Sequence, residues 1–223
     1  MIQGKPIPAS EVYWAWLRIC AIVALGTGWF SEYKKLRGMV ANRPVLKVPP
    51  SGCYVDSRPF TWQREAQNVS CLHLRIVNDP RIPTEHGNAV GIGATITFFD
   101  SDDVCLFFFD ARWGDSTQPS FLERGESTFT LLNVDLPIGR TREIDIAIKT
   151  ATDDNCYGFN NDSYHANHFL HPRWKLVGER FKAVVRVRGA FVDYAWEVRF
   201  RNPGKGLEFE VESCKEVKPS SPF

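Results

Sequence analysis

Three histidines separated by two residues each, His165-x-x-His168-x-x-His171, are the sharpest group of metal-ligating side chains in this sequence. Imidazole nitrogens bind zinc, and a loop that curled the three rings together would supply three ligands. The spacing is not one of the common zinc patterns, and Phe169 and Pro172 mark an ordinary loop, so no metal is assigned. Asp100-Ser101-Asp102-Asp103 opens like a calcium loop, but the glycine and glutamate that such a loop needs at its sixth and twelfth positions are replaced by Cys105 and Ala111. A turn rich in Asp is expected there. Asp153-Asp154-Asn155 and Asn160-Asn161-Asp162 gather hard oxygen ligands in one stretch, and Asx turns account for them.

Nucleophilic chemistry has no better footing. No Gly-x-Ser-x-Gly elbow occurs. Gly91-Ile92-Gly93 lacks the remaining glycine and the following helix of a dinucleotide site, and is expected to mark a bulge or a close sheet contact. The six cysteines, Cys20, Cys53, Cys71, Cys105, Cys156 and Cys214, form no C-x-x-C pair. In a cytoplasmic domain they stay thiols, whereas export would open bridges such as Cys71 to Cys156. The net charge of +1 comes without a basic stripe interleaved with aromatics, which excludes nucleic acid as the expected partner. The residues thus point to a non-enzymatic protein with no catalytic group, metal or cofactor.

The elements that would position any site begin with an apolar stretch, Val12 to Tyr33. Its uninterrupted part, Ile19 to Phe30, is short of the about 20 residues a bilayer span requires; extending back to Val12 supplies the length and includes Arg18. Tyr13, Trp14 and Trp16 at one end and Trp29, Phe30 and Tyr33 at the other form the two aromatic belts of a membrane helix. A central Arg costs about 2.5–3.5 kcal/mol on insertion scales. Arg18 is off centre and can snorkel, or it meets a carboxylate or carbonyl on a neighbouring helix. Ala21, Ala24, Gly26 and Gly28 would permit close helix approach. A signal peptide fits less well, because the charges follow the apolar run and no Ala-x-Ala site appears. Lys34, Lys35, Arg37, Arg43 and Lys47 after the span outnumber Lys5 before it, which predicts a single-pass protein with its N-terminus outside and its folded domain cytoplasmic.

Period-two alternation governs the remainder. Leu72, Leu74 and Ile76 oppose His73, Arg75 and Val77; Ile92, Ala94, Ile96 and Phe98 share a face; Val104 to Ala111 is apolar enough for a central strand. Ile144, Ile146 and Ile148 are predicted inward, with Glu143, Asp145 and Lys149 outward. Phe181, Ala183, Val185 and Val187 repeat the pattern, as do Val192, Tyr194, Trp196, Val198 and Phe200, and then Leu207, Phe209 and Val211. Gly114 to Ser127 and Thr150 to Pro172 are expected loops. About eight turn-separated strands predict an antiparallel immunoglobulin-like β-sandwich. The expected division is a lead-in over 1–11, the membrane helix and its extension over 12–37, a Pro-rich linker over 38–52, the β-sandwich over 53–214, and a tail over 215–223.

Arg43-Pro44-Val45-Leu46, Leu72-x-Leu74-x-Ile76-x-Asn78, Ala94-x-Ile96-x-Phe98-x-Asp100, Ala111-Arg112-Trp113, Asp145-Ile146-Ala147-Ile148-Lys149 and Trp174-x-Leu176 resemble recurring segments of uncharacterised bacterial single-span membrane proteins with a C-terminal immunoglobulin-like domain. The resemblance implies an anchored domain and brings no catalytic residues. The expectation is an accessory or structural subunit of a bacterial membrane complex, with photosynthetic and respiratory assemblies the first to check. Its partners would be other membrane subunits and the bilayer, met through Arg18 and through Arg112, Trp113 and Trp174, since Trp and Arg are favoured interface anchors. The alternative is a standalone anchored binding or sensory module working through its long loops.

Overall fold

The computed structural model describes residues 16, 23, 25–38, 43–62, 65–80, 87–116, 132–166 and 169–219. The chain divides into two units, Met1–Asn42 and Arg43–Phe223. In the first, Trp16, Val23 and residues 25–38 are helical. Trp29 stacks on Tyr33 with ring centroids 5.8 Å apart, and the Lys34 ammonium lies 4.6 Å from the centre of the Phe30 ring. Trp16, Trp29, Phe30 and Tyr33 are exposed. Tyr13, Trp14 and Arg18 lie outside the described residues. Among the described residues, no helix is long and apolar enough to cross a membrane.

The second unit is built of strands: Leu46–Lys47 (β1), Cys53–Trp62 (β2), Glu65–Asn78 (β3), Ala89–Phe99 (β4), Cys105–Asp110 (β5), Arg112–Trp113 (β6), Asn133–Leu136 (β7), Thr141–Thr150 (β8), Cys156–Gly158 (β9), Lys175–Leu176 (β10), Arg180–Gly189 (β11), Val192–Arg201 (β12) and Glu210–Val217 (β13). All pairings are antiparallel, in two sheets. In the first sheet β3 pairs with β1, β2 and β8; β8 also pairs with β6 and β9, and β9 with β10. The second runs β13-β12-β11-β4-β5, with β7 on β4. One apolar core takes Leu72, Leu74 and Ile76 from the first sheet and Ile96, Phe98, Val185, Trp196 and Phe200 from the second. Alternate residues of a strand point to opposite faces, so the alternation in β3, β4, β11 and β12 selects this core as expected.

The boundaries differ from the sequence reading at both ends. Leu46–Lys47, within the expected linker, pairs with Asn78 and Val77 of β3, and Leu46 is buried in the core. A proline-rich stretch can still supply one short strand where its prolines fall outside the paired residues. At the other end β13 runs to Val217, past the start of the expected tail.

Asn78, fully buried at the end of β3, ties three segments together. Its Nδ2 donates to the carbonyls of Gly87 (2.7 Å) and Leu136 (2.9 Å), and its Oδ1 accepts from the Val45 amide (3.3 Å). A buried amide is tolerable when its donors and acceptor are engaged in this way. The Asp100 turn forms as expected: its carboxylate accepts from the amides of Asp102 and Val104, both at 2.9 Å. Gly91 takes a φ of +60° where the β4–β7 register is irregular, which is the predicted bulge.

Two departures shape the site. The segment Val104 to Ala111 is not central: β5 pairs with β4 alone among the described strands. The chain then changes sheets. The Ala111 amide bonds the Ala94 carbonyl of β4 (2.8 Å), and the Gly114 amide bonds the Glu143 carbonyl of β8 (2.7 Å), so β6 belongs to the first sheet. The β3–β8 register also shifts at Leu72/His73, where Leu72 faces Ala147 and His73 faces Asp145. Ile146 is the extra residue. Beyond it Ala147 joins the main core and Ile148 turns to the opposite face, because one inserted residue inverts a period-two pattern. The expectation that Ile148 points inward beside Ile146 is corrected accordingly.

Candidate functional site

The register aligns a row of polar side chains across four strands. Tyr54 of β2 lies opposite His73 of β3, His73 opposite Asp145 of β8, and Asp145 opposite Arg112 of β6. Directly opposed side chains are close enough to interact. Asp145 Oδ1 is 2.8 Å from His73 Nδ1, and its Oδ2 accepts from Arg112 Nη1. An ionised carboxylate only accepts, so His73 Nδ1 donates to Asp145 Oδ1. Arg112 Nη2 donates to the Ser116 carbonyl (3.1 Å). The next row is Arg75 and Glu143: Arg75 donates to Glu143 Oε1 from Nη2 (2.7 Å) and Nε (3.1 Å), and to the Tyr54 hydroxyl (3.3 Å).

Asp145, Arg112 and His73 are only 2%, 3% and 7% exposed. Charged groups reach such burial only when paired. The cover comes from the segment expected to be a polar loop, Thr150 to Pro172. It forms β9 and a 3-10 turn, Asn161–His165, and sends Tyr157, Phe159, Tyr164 and Phe169 onto the outer face of the first sheet. There they build a second apolar cluster with Val69, Cys71 and Ile148. Tyr164 packs edge-on to Phe169 at 4.9 Å, and the Arg112 guanidinium sits 5.0 Å from the Tyr164 ring centre, a cation–π contact. Local hydrogen bonds explain the fold of this segment. Asn160 and Ser163 form a reciprocal capping box, and Asp153 accepts from Asn155 and from the Tyr157 hydroxyl (2.9 Å). The Asp153 and Asn160 oxygens are therefore engaged in turns, whereas Asn161 Oδ1 is buried without a partner.

Between this cover and the sheet lies a polar pocket of about 220 Å³, lined by Tyr54, Asp56, Arg58, His73, Arg112 and Glu143, among others. Two of its three acids are closely paired, Asp145 with Arg112 and His73 and Glu143 with Arg75, while Asp56 is 3.8 Å from Arg58. Burial disfavours the charged Glu143, but its hydrogen bonds with Tyr54 and Arg75 outweigh that and hold its carboxyl below the ordinary range. Burial, and then the Glu143 hydrogen bond, push the Tyr54 hydroxyl up to about 12. Burial does the same to Tyr164, also to about 12, against the opposing charge of Arg112. Two donors lack a close acceptor: Arg112 Nε is buried with no partner, and Arg58 comes no closer than 3.8 Å to Asp56.

The residues expected to contact partners have other roles. Trp113 is fully buried, its Nε1 donating to the Leu132 carbonyl (3.1 Å). Trp174 is buried against Phe109 (5.1 Å) and Phe107 (5.5 Å), with Arg173 rather than Arg112 over its ring at 4.6 Å. Arg112 pairs with Asp145 through Nη1. His171 accepts from the Arg173 amide through Nδ1 (3.2 Å), while the His165 side chain and His168 lie outside the described residues. No metal-binding group of side chains is found among the described residues. His73, Asp145 and Tyr54 were not singled out from the sequence. The signal available was a His and an Asp at outward positions of two predicted strands that are each flanked by apolar residues. Comparison with protein-family models, curated proteins and solved structures finds no match to this chain.

The buried row makes a stability prediction. Asp145→Ala leaves Arg112 without a counter-charge and should lose about 3–5 kcal/mol in denaturant unfolding, whereas removing both charges with Asp145→Leu and Arg112→Met should recover most of that loss. Equal losses in the single and double variants would contradict the pairing.

Proposed function

We propose that this chain is a membrane-anchored binding module whose β domain takes a small carboxylate in the pocket between the first sheet and its aromatic cover. The observation that carries this reading is a pair of guanidinium donors left without a close acceptor: Arg112 Nε has no partner, and Arg58 stands 3.8 Å from Asp56. An anionic oxygen is the complement of that arrangement. The volume of about 220 Å³ is below the range of pockets for drug-sized ligands, which argues for a small one. No covalent chemistry is assigned to the site. The His73–Asp145 contact orients an imidazole, and no hydroxyl or thiol among the described residues is hydrogen-bonded to its other nitrogen. Titration calorimetry on the full chain in detergent, with a panel of mono- and dicarboxylates, should find one site per chain. Arg58→Gln, an exposed change, should weaken it about tenfold, equivalent to about 1.4 kcal/mol. Absence of binding across the panel would overturn the assignment.

The anchor is the stretch Val12 to Tyr33, with Tyr13, Trp14 and Trp16 at one belt and Trp29, Phe30 and Tyr33 at the other, and the β domain on the cytoplasmic side. The exposed aromatics of the described helix and the cations that follow them support this reading. After alkaline washing of membranes the full chain should stay in the pellet, with the β domain degraded by protease only once the cytoplasmic face is accessible. Release into the wash would remove the anchor.

A second reading, an accessory subunit bracing a membrane complex, is favoured by β5. Val104, Leu106 and Phe108 beside or on that edge strand are 58%, 41% and 70% exposed. An apolar edge is a template for pairing with another chain. Native mass analysis after gentle solubilisation distinguishes the two: a stable assembly with other subunits supports bracing, and a strictly monomeric particle leaves the binding module.

A further inference from the structure

Cys53 and Cys214 come from different sheets and meet. Cys53 opens β2 in the first sheet, and Cys214 lies on β13, the outermost strand of the second. These two strands touch across the sandwich. Both thiols are half-buried against the main core, and both line a cleft of about 430 Å³ that also includes Lys47, Val48 and Trp196. The side chains hydrogen-bond to one another. The Cys71–Cys156 bridge considered from the sequence is disfavoured, because Cys71 belongs to the outer apolar cluster and Cys156 to the main core, on opposite faces of the first sheet.

We infer that Cys53 and Cys214 form a redox-sensitive staple, closed into a disulfide by a small-molecule disulfide oxidant of the glutathione class, which ties β2 of one sheet to β13 of the other. The arrangement divides the roles of the two sulfurs. The hydrogen bond from its partner, followed by burial, pushes the Cys53 thiol up, while the same bond holds Cys214 below the ordinary thiol range. Cys214, on the outermost strand and lining the cleft, is the thiol placed to attack, giving up its proton as it does so. It displaces one thiolate from the oxidant and forms a mixed disulfide. Cys53 loses its proton and attacks the Cys214 sulfur, forming the Cys53–Cys214 bond and expelling the second small thiol. Two electrons pass from the cysteine pair to the oxidant, and the two protons end on the released thiols. The cleft gives the oxidant access to the half-buried Cys214.

The test uses the full chain in detergent, in a Cys105→Ser background that removes the exposed thiol among the described residues. The protein is equilibrated with glutathione disulfide, trapped by alkylation and mapped by peptide mass spectrometry. The expected product is a Cys53–Cys214 linked peptide that disappears on reduction, together with a thermal midpoint about 5–15 °C above that of the reduced protein. In a further Cys53→Ser variant, Cys214 should stop at the glutathione adduct. Two results would overturn the staple: Cys214 remaining a thiol or an adduct while Cys53 is intact, or a linked peptide formed with no change in thermal midpoint. Mapping the parent protein needs no substitution at either cysteine, so a variant that fails to fold does not compromise the measurement.

Discussion

Asp145 is the group on which this architecture turns. A carboxylate in an apolar interior is unfavourable by several kcal/mol unless its charge and both oxygens are engaged. Here each oxygen has one partner: His73 on the preceding strand in the sheet and Arg112 on the following one. Neither partner is local in sequence. His73 is brought opposite Asp145 by the register that follows the bulge at Ile146. Arg112 arrives because the chain leaves the second sheet at Ala111 and joins the first. The bulge and the sheet change are thus needed by the same ion pair.

Burying that row has consequences for the layers. The first sheet is covered on both faces, by the main core on one side and by the cluster of Tyr157, Phe159, Tyr164 and Phe169 on the other. Antiparallel sheets commonly leave one face to water; here the outer face is closed by the aromatic segment. Close approach is part of the closure. A Cβ on Gly158 would come within 2.5 Å of the Phe109 ring, so only glycine lets β9 lie against the aromatic side chains of β5. Lys149, at the far end of β8, meets the same problem as Asp145 with the opposite sign. Its ammonium donates to Asn202 Oδ1 (2.6 Å) and the Gly204 carbonyl (2.5 Å), and burial lowers its pKa.

The inner faces were legible from sequence because alternation is a local property. Ile92, Ala94, Ile96 and Phe98, and Phe181 through Val187, needed only the period of a strand. The second apolar layer was not legible. Its members are scattered over β3, β8 and the segment after Thr150, and a segment rich in Asp, Asn and His reads as solvated until its few aromatics are known to share a surface. Asp145 and Lys149 were expected outward because charge at an alternating position normally faces water; the aromatic cover buries Asp145, and the bulge at Ile146 turns Lys149 toward the main core, over Phe209. The edge position of β5 was hidden too, since hydrophobicity reports burial better than neighbours. Trp113 and Trp174 are buried, and a large aromatic has the same composition signal in a core as at an interface.

Strand β2 links the two sites that emerge. Its alternate residues serve opposite faces: Cys53 and Val55 pack toward the main core, while Tyr54, Asp56 and Arg58 line the polar pocket. A strand is stiff along its length but free to shift as a unit where its other edge is unpaired, and among the described strands β2 pairs with β3 alone. A covalent tie at Cys53 would restrict that shift. The wall that presents Arg58 to a ligand would then be held by the same bond that joins the sheets.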